Sequence, residues 1–409
     1  MKVYYVVWME DLASPLLRGQ VLDICAMFAR QEVDLTFVYF SRPEDAKPAG
    51  RLLRQALPDS VGLVVEPVGF LGWTARRLDW QFYRPVQGPL VIGRVVRTLK
   101  RLIERRASAV VHFRSYPIAL AGVRLKSRRP NLRVVFDPRS PFPEEGVTLG
   151  RMKRGGRTHR YWQAVELRLL RGADAVVATS KAFGRSLLAR VPSAGVHVIG
   201  NNVDTARFTS AAADRTRIRH ELDIDPDAFV FGYVGSLGLR FWNDPNAYAG
   251  FMRSIAKSGR PACFLFVTRD QRVLRKVMAA HGIDERRHRV VGASFDEVPG
   301  YLACMDAGLN FMAQPDPRLS VKTVEYLAAG LAVVTNERAS GVAGLVRDNE
   351  LGVVVGDETA LSTDEIERIF ALFEARDEYA SRAKSYALSE CSTEAVSGRY
   401  LAIYRALWA

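Results

Sequence analysis

The sequence predicts an α/β fold of two domains, each a parallel sheet covered by helices on both faces. Short apolar runs alternate with amphipathic helical stretches along the chain, the order that strands and crossover helices take in parallel sheets. At 409 residues the chain is longer than one hydrophobic core usually organises, so it should divide in two. Several apolar runs lead into glycine or arginine, as at Gly235, Arg114 and Arg139, and ligands bind outside the carboxyl ends of such strands.

Composition narrows the class. Hydrophobic residues make up 48% and charged residues 25%, an ordinary balance for a water-exposed globular protein. No apolar run reaches the roughly 18 residues of a spanning helix, and MKVYYVVWMED reads as a strand followed by acids rather than a leader peptide. Cys25, Cys263, Cys304 and Cys391 lie far apart with no CxxC pair, and read as small core hydrophobes in a reducing compartment. The six histidines show no metal-ligand spacing, and the acids of ELDIDPD read as a solvated turn; neither a metal nor a cofactor is called for. The net charge of +14 is uneven: residues 51–160 hold 23 Lys and Arg against 7 Asp and Glu, a balance of +16. A basic half-molecule implies an anionic partner, whether lipid, nucleic acid or phosphorylated substrate.

In chain order, KVYYVVW is the first strand, and a helix follows through Leu17, Val21, Ile24, Cys25 and Phe28. VDLTFVYF and GLVVEPV are the next strands. The segment 70–83 then mixes Phe70, Leu71, Trp73, Trp80, Phe82 and Tyr83 with Arg76 and Arg77. Rings and cations together suit a membrane interface, and equally suit aromatics packed under a long loop. The following helix carries Arg94, Arg97, Lys100, Arg101, Arg105 and Arg106, either a solvated basic face or a contact for anions. SAVVHFRSYP and LRVVFDPRSPFPEEG are two strand-to-loop units. Asp137 and Arg139 in the second are either site residues or a pair that organises the loop. After ADAVVATS and VHVIGNNVDTARF the second domain opens on AFVFGYVGSLGLRF. There Gly235 and Gly238 allow close phosphate approach, Ser236 sits in the same turn, and Arg240 would neutralise a diphosphate. PACFLFVTRD brings Thr268 and Arg269 to a strand end.

The most informative stretch is QPDPRLSVKTVEYLAAGLAVVTN at 314–336. Ser320 is an N-cap residue type, its hydroxyl expected to accept from a first-turn amide. Val321, Val324, Leu327 and Ala328 share one helical face, Lys322 and Glu325 the other, and Gly330 suits a left-handed helix stop. An abrupt helix start offers amides and a positive dipole end, with a cation and a carboxylate beside them. That combination suits a diphosphate and a ribose, and the alternative is a solvated salt bridge on an ordinary helix.

SVKTVEYLAAGLAVV resembles the donor-nucleotide motif of GT-B glycosyltransferases, specifically the retaining family 4. VHVIGNNVDTARF is similar to the turn that closes the family's first domain, with Asn202 at a glycine position where positive φ is expected. FDPRSPFPEE resembles a D-x-R loop of some members, and Gln20 stands at a position common in the first helix. The resemblance implies two Rossmann-like domains facing across a cleft, with a domain at 1–205, another at 206–389, and a last helix at 390–409 packing back on the first. It further implies that Glu325 holds the ribose and that the turn before it meets the diphosphate of a nucleotide sugar. Gly235, Ser236, Arg240, Arg269, Ser320, Val321 and Lys322 would complete the donor site. Asp137 and Arg139 would reach in from the first domain. Two departures stand out: Ala13-Ser14 replaces a glycine pair, and Pro317 replaces a glutamate that contacts the donor sugar, with Asp316 beside it.

The function so implied is transfer of a sugar, with retained configuration, to an anionic or lipid-linked acceptor in cell-surface polysaccharide or glycolipid assembly. Residues 70–106 would supply peripheral membrane contact at the inner face of the plasma membrane, with the protein cytoplasmic. Nucleic acid is not the expected partner, because no recognition helix or stacking platform is visible. Two other readings stay open: a non-hydrolysing nucleotide-sugar epimerase of the same fold, and a non-catalytic protein that binds anionic polymer or membrane.

Overall fold

A computed structural model describes every residue of the chain except 13, 15, 16, 32, 69–87 and 239–241. The chain divides into two compact units, Met1–Ile199 with Val396–Ala409, and Gly200–Ala395. Each unit is built on one parallel sheet.

The first unit has seven strands: β1 (Lys2–Trp8), β2 (Asp34–Ser41), β3 (Gly62–Pro67), β4 (Ala109–Arg114), β5 (Leu132–Asp137), β6 (Ala175–Ala178) and β7 (Val196–Val198). Their spatial order is β3-β2-β1-β4-β5-β6-β7. Along β1, Tyr4, Val6 and Trp8 enter one hydrophobic cluster while Val3, Tyr5 and Val7 enter another. Alternate side chains point to opposite faces of a strand, so both faces of the sheet are buried, and the strand sequence is apolar throughout. The helix Thr393–Trp408 runs into this unit and lays Val396, Tyr400, Leu401, Ile403 and Tyr404 on the second of those faces.

The second unit has β8 (Phe229–Val234), β9 (Ala262–Val267), β10 (His288–Val291), β11 (Ala307–Asn310), β12 (Ala332–Asn336) and β13 (Gly352–Val355), in the order β10-β9-β8-β11-β12-β13. The same alternation recurs: Val230 and Val234 face one cluster, and Phe229, Phe231 and Tyr233 the other. The helix Val321–Ala329 ends at Gly330, whose φ of 82° is the left-handed stop the sequence predicts.

Two local expectations change. Asn202 is absent from the non-glycine residues with positive φ; it is buried instead, and its side-chain amide donates to the Thr393 hydroxyl at 3.3 Å. Ser320 occupies the N-cap with φ −75° and ψ 138°, but its hydroxyl makes no capping bond.

Candidate active site

In the second unit the strand order turns around between β8 and β11, the switch point where open α/β sheets bind ligands. These two strands pair only at Ala307↔Phe231 and Gly308↔Gly232. Beyond that pairing, Tyr326 of the helix Val321–Ala329 fills the gap. Its hydroxyl accepts from the Val234 amide at 3.1 Å and donates to the Leu309 carbonyl at 3.2 Å. The ring lies so close to β11 that a Cβ on Gly308 would come within 2.2 Å of it. Gly308 therefore sets the depth of the helix, and Tyr326 locks its first turns to the carboxyl ends of both strands.

That lock brings Lys322 beside the turn after β8. Its ammonium donates to the Tyr233 hydroxyl at 2.9 Å and to Asn243 Oδ1 at 3.2 Å, and lies 4.2 Å from the centroid of the Tyr233 ring. Gly235 has φ 134°, and a Cβ there would lie 3.5 Å from Lys322 Nζ. A side chain at 235 would thus occupy the space in front of the ammonium, and it would be strained besides. Because Ser320 does not cap the helix, the positive end of the helix dipole faces this space without a competing side-chain acceptor from that residue. Backbone, ammonium and helix end together form a cradle for an anion.

Glu325, one turn further along, is half-buried like Lys322. Burial pushes its carboxyl up to about 7, against the pull of the Arg207 and Lys322 charges. Burial pushes the Lys322 ammonium down to about 7, with Glu325 opposing. The two are therefore a partly desolvated pair poised near neutrality rather than the solvated salt bridge of the alternative reading. Arg207, which the sequence reading missed, stacks 3.8 Å from the Phe295 ring centroid and donates to the Phe295 carbonyl at 2.7 Å.

The remaining candidates of this unit are placed as follows. Ser236 is exposed, with its carbonyl accepting from the Tyr233 hydroxyl at 2.7 Å, and Val321 is half-buried at the first helical position. Arg269 is exposed, between Thr268 and Asp270. Asp270 Oδ2 accepts from the Leu237 amide at 2.8 Å and so braces the turn after β8. Arg240 lies outside the described residues. Asp316 does not stand in for the glutamate missing at Pro317. It is buried, and grips its own neighbour Arg318 at 2.8 and 2.9 Å, whose guanidinium lies 4.5 Å from the Trp242 ring centroid.

In the first unit the order turns around between β1 and β4. Non-glycine residues with positive φ follow three neighbouring strands here: Met9 at 47° after β1, Ser115 at 102° after β4, and Arg139 at 59° after β5. Strain of this kind, roughly 1–3 kcal/mol per residue, collects at functional sites. Arg114 donates to Glu10 Oε1 at 2.7 Å and to Gln20 Oε1 at 2.8 Å, and Arg139 donates to the same Gln20 oxygen at 3.1 Å. Gln20 sits in a π-helical turn, Arg18–Leu22, which aims its amide at both guanidiniums.

Asp137 needs correcting as a catalytic candidate. Its side chain is 0% exposed, so it touches no substrate in this arrangement; it lies 3.7 Å from Arg139 Nη1. Although burial works against ionisation, the charge of Arg139 and the nearby His112 hold the carboxyl down at about 2. It is the buried anchor of a loop whose exposed reach belongs to Arg139. The basic helix is also less free than its sequence suggests: Arg94 and Arg101 both bond Glu66, at 2.5 and 2.6 Å. Arg97, Lys100, Arg105 and Arg106 are exposed, and segment 70–83 lies outside the described residues. Among the described residues no cluster of potential metal ligands occurs, and no helix is long and apolar enough to cross a membrane.

Residues 20–207 match the Glycosyltransferase Family 4 model, and residues 228–371 match Glycosyl transferases group 1. The Anabaena protein HepE, solved with UDP and glucose, is 17% identical with a TM-score of 0.68, covering 98% of this chain and 99% of its own. Sucrose-phosphate synthase from Thermosynechococcus elongatus is 16% identical with a TM-score of 0.69, covering 100% and 99%. WaaG, a glycosyltransferase involved in lipopolysaccharide biosynthesis, is 16% identical with a TM-score of 0.65, covering 98% and 99%. No curated protein sequence matches the chain significantly.

Proposed function

Since the chain belongs to the GT-B glycosyltransferases, with a family 4 part at 20–207 and a group 1 part at 228–371, we propose that it transfers a hexose from a UDP-sugar. The anomeric configuration would be retained, as family 4 membership suggests, and the acceptor would belong to cell-surface polysaccharide or glycolipid assembly. The observation that carries the reading is the convergence of Lys322, Gly235 and an uncapped helix end at the β8–β11 switch point, with Glu325 one turn on. HepE's structure with UDP and glucose supports the choice of nucleotide, and WaaG's role in lipopolysaccharide biosynthesis supports the class of acceptor.

In this reading the diphosphate lies in the cradle and the ribose hydroxyls donate to the Glu325 carboxylate. As the glycosidic bond breaks, negative charge grows on the β-phosphate oxygen. Lys322 and the helix end are already aimed there, so their stabilisation rises in the transition state without reorganisation. Arg240 remains a proposed further cation on the same diphosphate. Arg139, bonded to Gln20 and 3.7 Å from Asp137, is proposed as a catalytic residue that meets the reacting sugar or its acceptor.

A screen of UDP-, GDP- and ADP-sugars tests the assignment. One family should raise the melting temperature, as a specific ligand must by mass action. Nucleoside diphosphate should then be released only when an acceptor is added; release of an epimerised donor instead would favour the epimerase. In the same assay Glu325→Ala should weaken UDP binding by about tenfold, the loss expected of roughly 1.5 kcal/mol of charge-assisted hydrogen bonding. Unchanged UDP affinity in a folded Glu325→Ala protein would remove the ribose role.

We also propose reversible attachment at an anionic membrane surface, resting on the +16 balance of residues 51–160 and the exposed Arg97, Lys100, Arg105 and Arg106. Each cation near such a surface contributes about 1 kcal/mol and is screened by salt. Vesicles containing phosphatidylserine should co-sediment the protein at low salt, and Arg97→Glu with Lys100→Glu should weaken the binding. A protein that ignores these vesicles at low salt has a different anionic partner.

A further inference from the structure

Behind Arg139 lies a buried polar chain that the scheme above does not use. His112, on β4, is 0% exposed. Its Nδ1 lies 2.6 Å from the Tyr404 hydroxyl and its Nε2 lies 3.5 Å from Asp137 Oδ2. The Tyr400 hydroxyl donates to the same Asp137 oxygen at 3.2 Å. His112 also stacks on Tyr5 with centroids 4.3 Å apart, so its ring plane is fixed. Burial lowers its basicity, which keeps the imidazole neutral beside Arg114 and Arg139.

Both tyrosines belong to the last helix, while Asp137 ends β5 and Arg139 follows with φ 59°. The Ser115 amide, at the neighbouring strained position, donates to the Asp137 carbonyl at 3.0 Å. A buried carboxylate holding a strained arginine needs its own lone pairs satisfied, or the ion pair costs more than it returns. Tyr400 supplies one such bond from behind, to Oδ2, while Oδ1 has no hydrogen-bond partner among the described residues. Ring packing would have been met as well by phenylalanine at 400 and 404, so the hydroxyls are the informative feature.

We propose that Tyr400 of the C-terminal helix is a positioning residue for Arg139, acting through Asp137. The inference rests on the assignment of Arg139 to the reacting centre. In physical terms, Tyr400 restrains Asp137, Asp137 restrains the guanidinium, and the left-handed backbone at 139 is held in register by both. The last helix thus contributes to turnover without touching substrate.

Phenylalanine substitutions test this with the full chain, since each removes one hydroxyl and keeps the ring. With UDP-glucose as donor, the acceptor present and UDP release as readout, Tyr400→Phe should lower turnover about tenfold. The UDP dissociation constant, set by Lys322 and Glu325, should not move. In an Arg139→Ala background the same substitution should change nothing further, because the group it positions is gone. A second measurement needs no substrate: amide exchange across Ser140–Gly146 should accelerate in Tyr400→Phe. An equal loss of turnover in both backgrounds, or wild-type turnover and exchange in Tyr400→Phe, would overturn the inference. If Arg139→Ala itself retained full turnover, the fault would lie with the assignment of Arg139, and the positioning role would fall with it.

Discussion

Lys322→Ala should lower turnover by roughly a hundredfold to a thousandfold, the loss typical of removing one preorganised charge donor from a developing anion. The ammonium stands at the turn of Gly235, 3.5 Å from where a Cβ would lie. Its bonds to Tyr233 and Asn243 hold it there before any ligand arrives, so no ordering cost falls on the reaction. UDP affinity should fall too, by some tens of fold and so by less than turnover, because a bound diphosphate carries less charge at the bridging oxygen than a departing one. Lys322→Arg should not rescue the rate: a planar fork cannot take the place of a compact ammonium packed over the Tyr233 ring. Turnover within a few-fold of wild type in Lys322→Ala would mean that helix end and backbone suffice, and would remove the lysine from the mechanism.

The fold was legible because its signals are local. The helix Val321–Ala329 announces itself by an N-cap residue type, an apolar face and a glycine stop, and the strands by apolar runs of matching length. The pairing of Lys322 with Glu325 was legible for the same reason, being set by helical periodicity. What surrounds the pair was not. Tyr326 reads as one more core aromatic, and nothing in the sequence says that its hydroxyl bridges Val234 and Leu309. Tyr233 and Asn243 reach Lys322 from residues 89 and 79 positions away, a distance only tertiary structure closes. The desolvation of the pair was not legible either, because burial is a property of the neighbours rather than of the helix. Asp137 fails differently. A carboxylate at a strand end reads as a ligand-facing group, whereas Tyr400, 263 positions later, meets it inside the fold.

UDP affinity should be highest near pH 7 and fall on both sides, by about twenty- to fiftyfold between pH 7 and pH 9 on the alkaline side. The sign follows from each group in turn. In the empty site burial holds the Lys322 ammonium near 7, so above that pH it is mostly neutral. A diphosphate beside it favours the charged form and raises its pKa, so binding takes up a proton and weakens as protons become scarce. Glu325 behaves oppositely. Burial raises its carboxyl to about 7, so below that pH it is mostly protonated. Ribose hydroxyls that donate to the carboxylate favour its ionised form, so binding releases a proton and weakens as pH falls. Calorimetry of UDP binding in buffers of different ionisation enthalpy reads both effects, as uptake of close to one proton at pH 8 and release at pH 6. Lys322→Met should flatten the alkaline limb alone, and Glu325→Gln the acid limb alone, apart from the part owed to protonation of UDP itself. Affinity that stays level from pH 7 to pH 9 in the wild-type protein would show that the diphosphate does not bind against Lys322, and the anion cradle would have to be placed elsewhere.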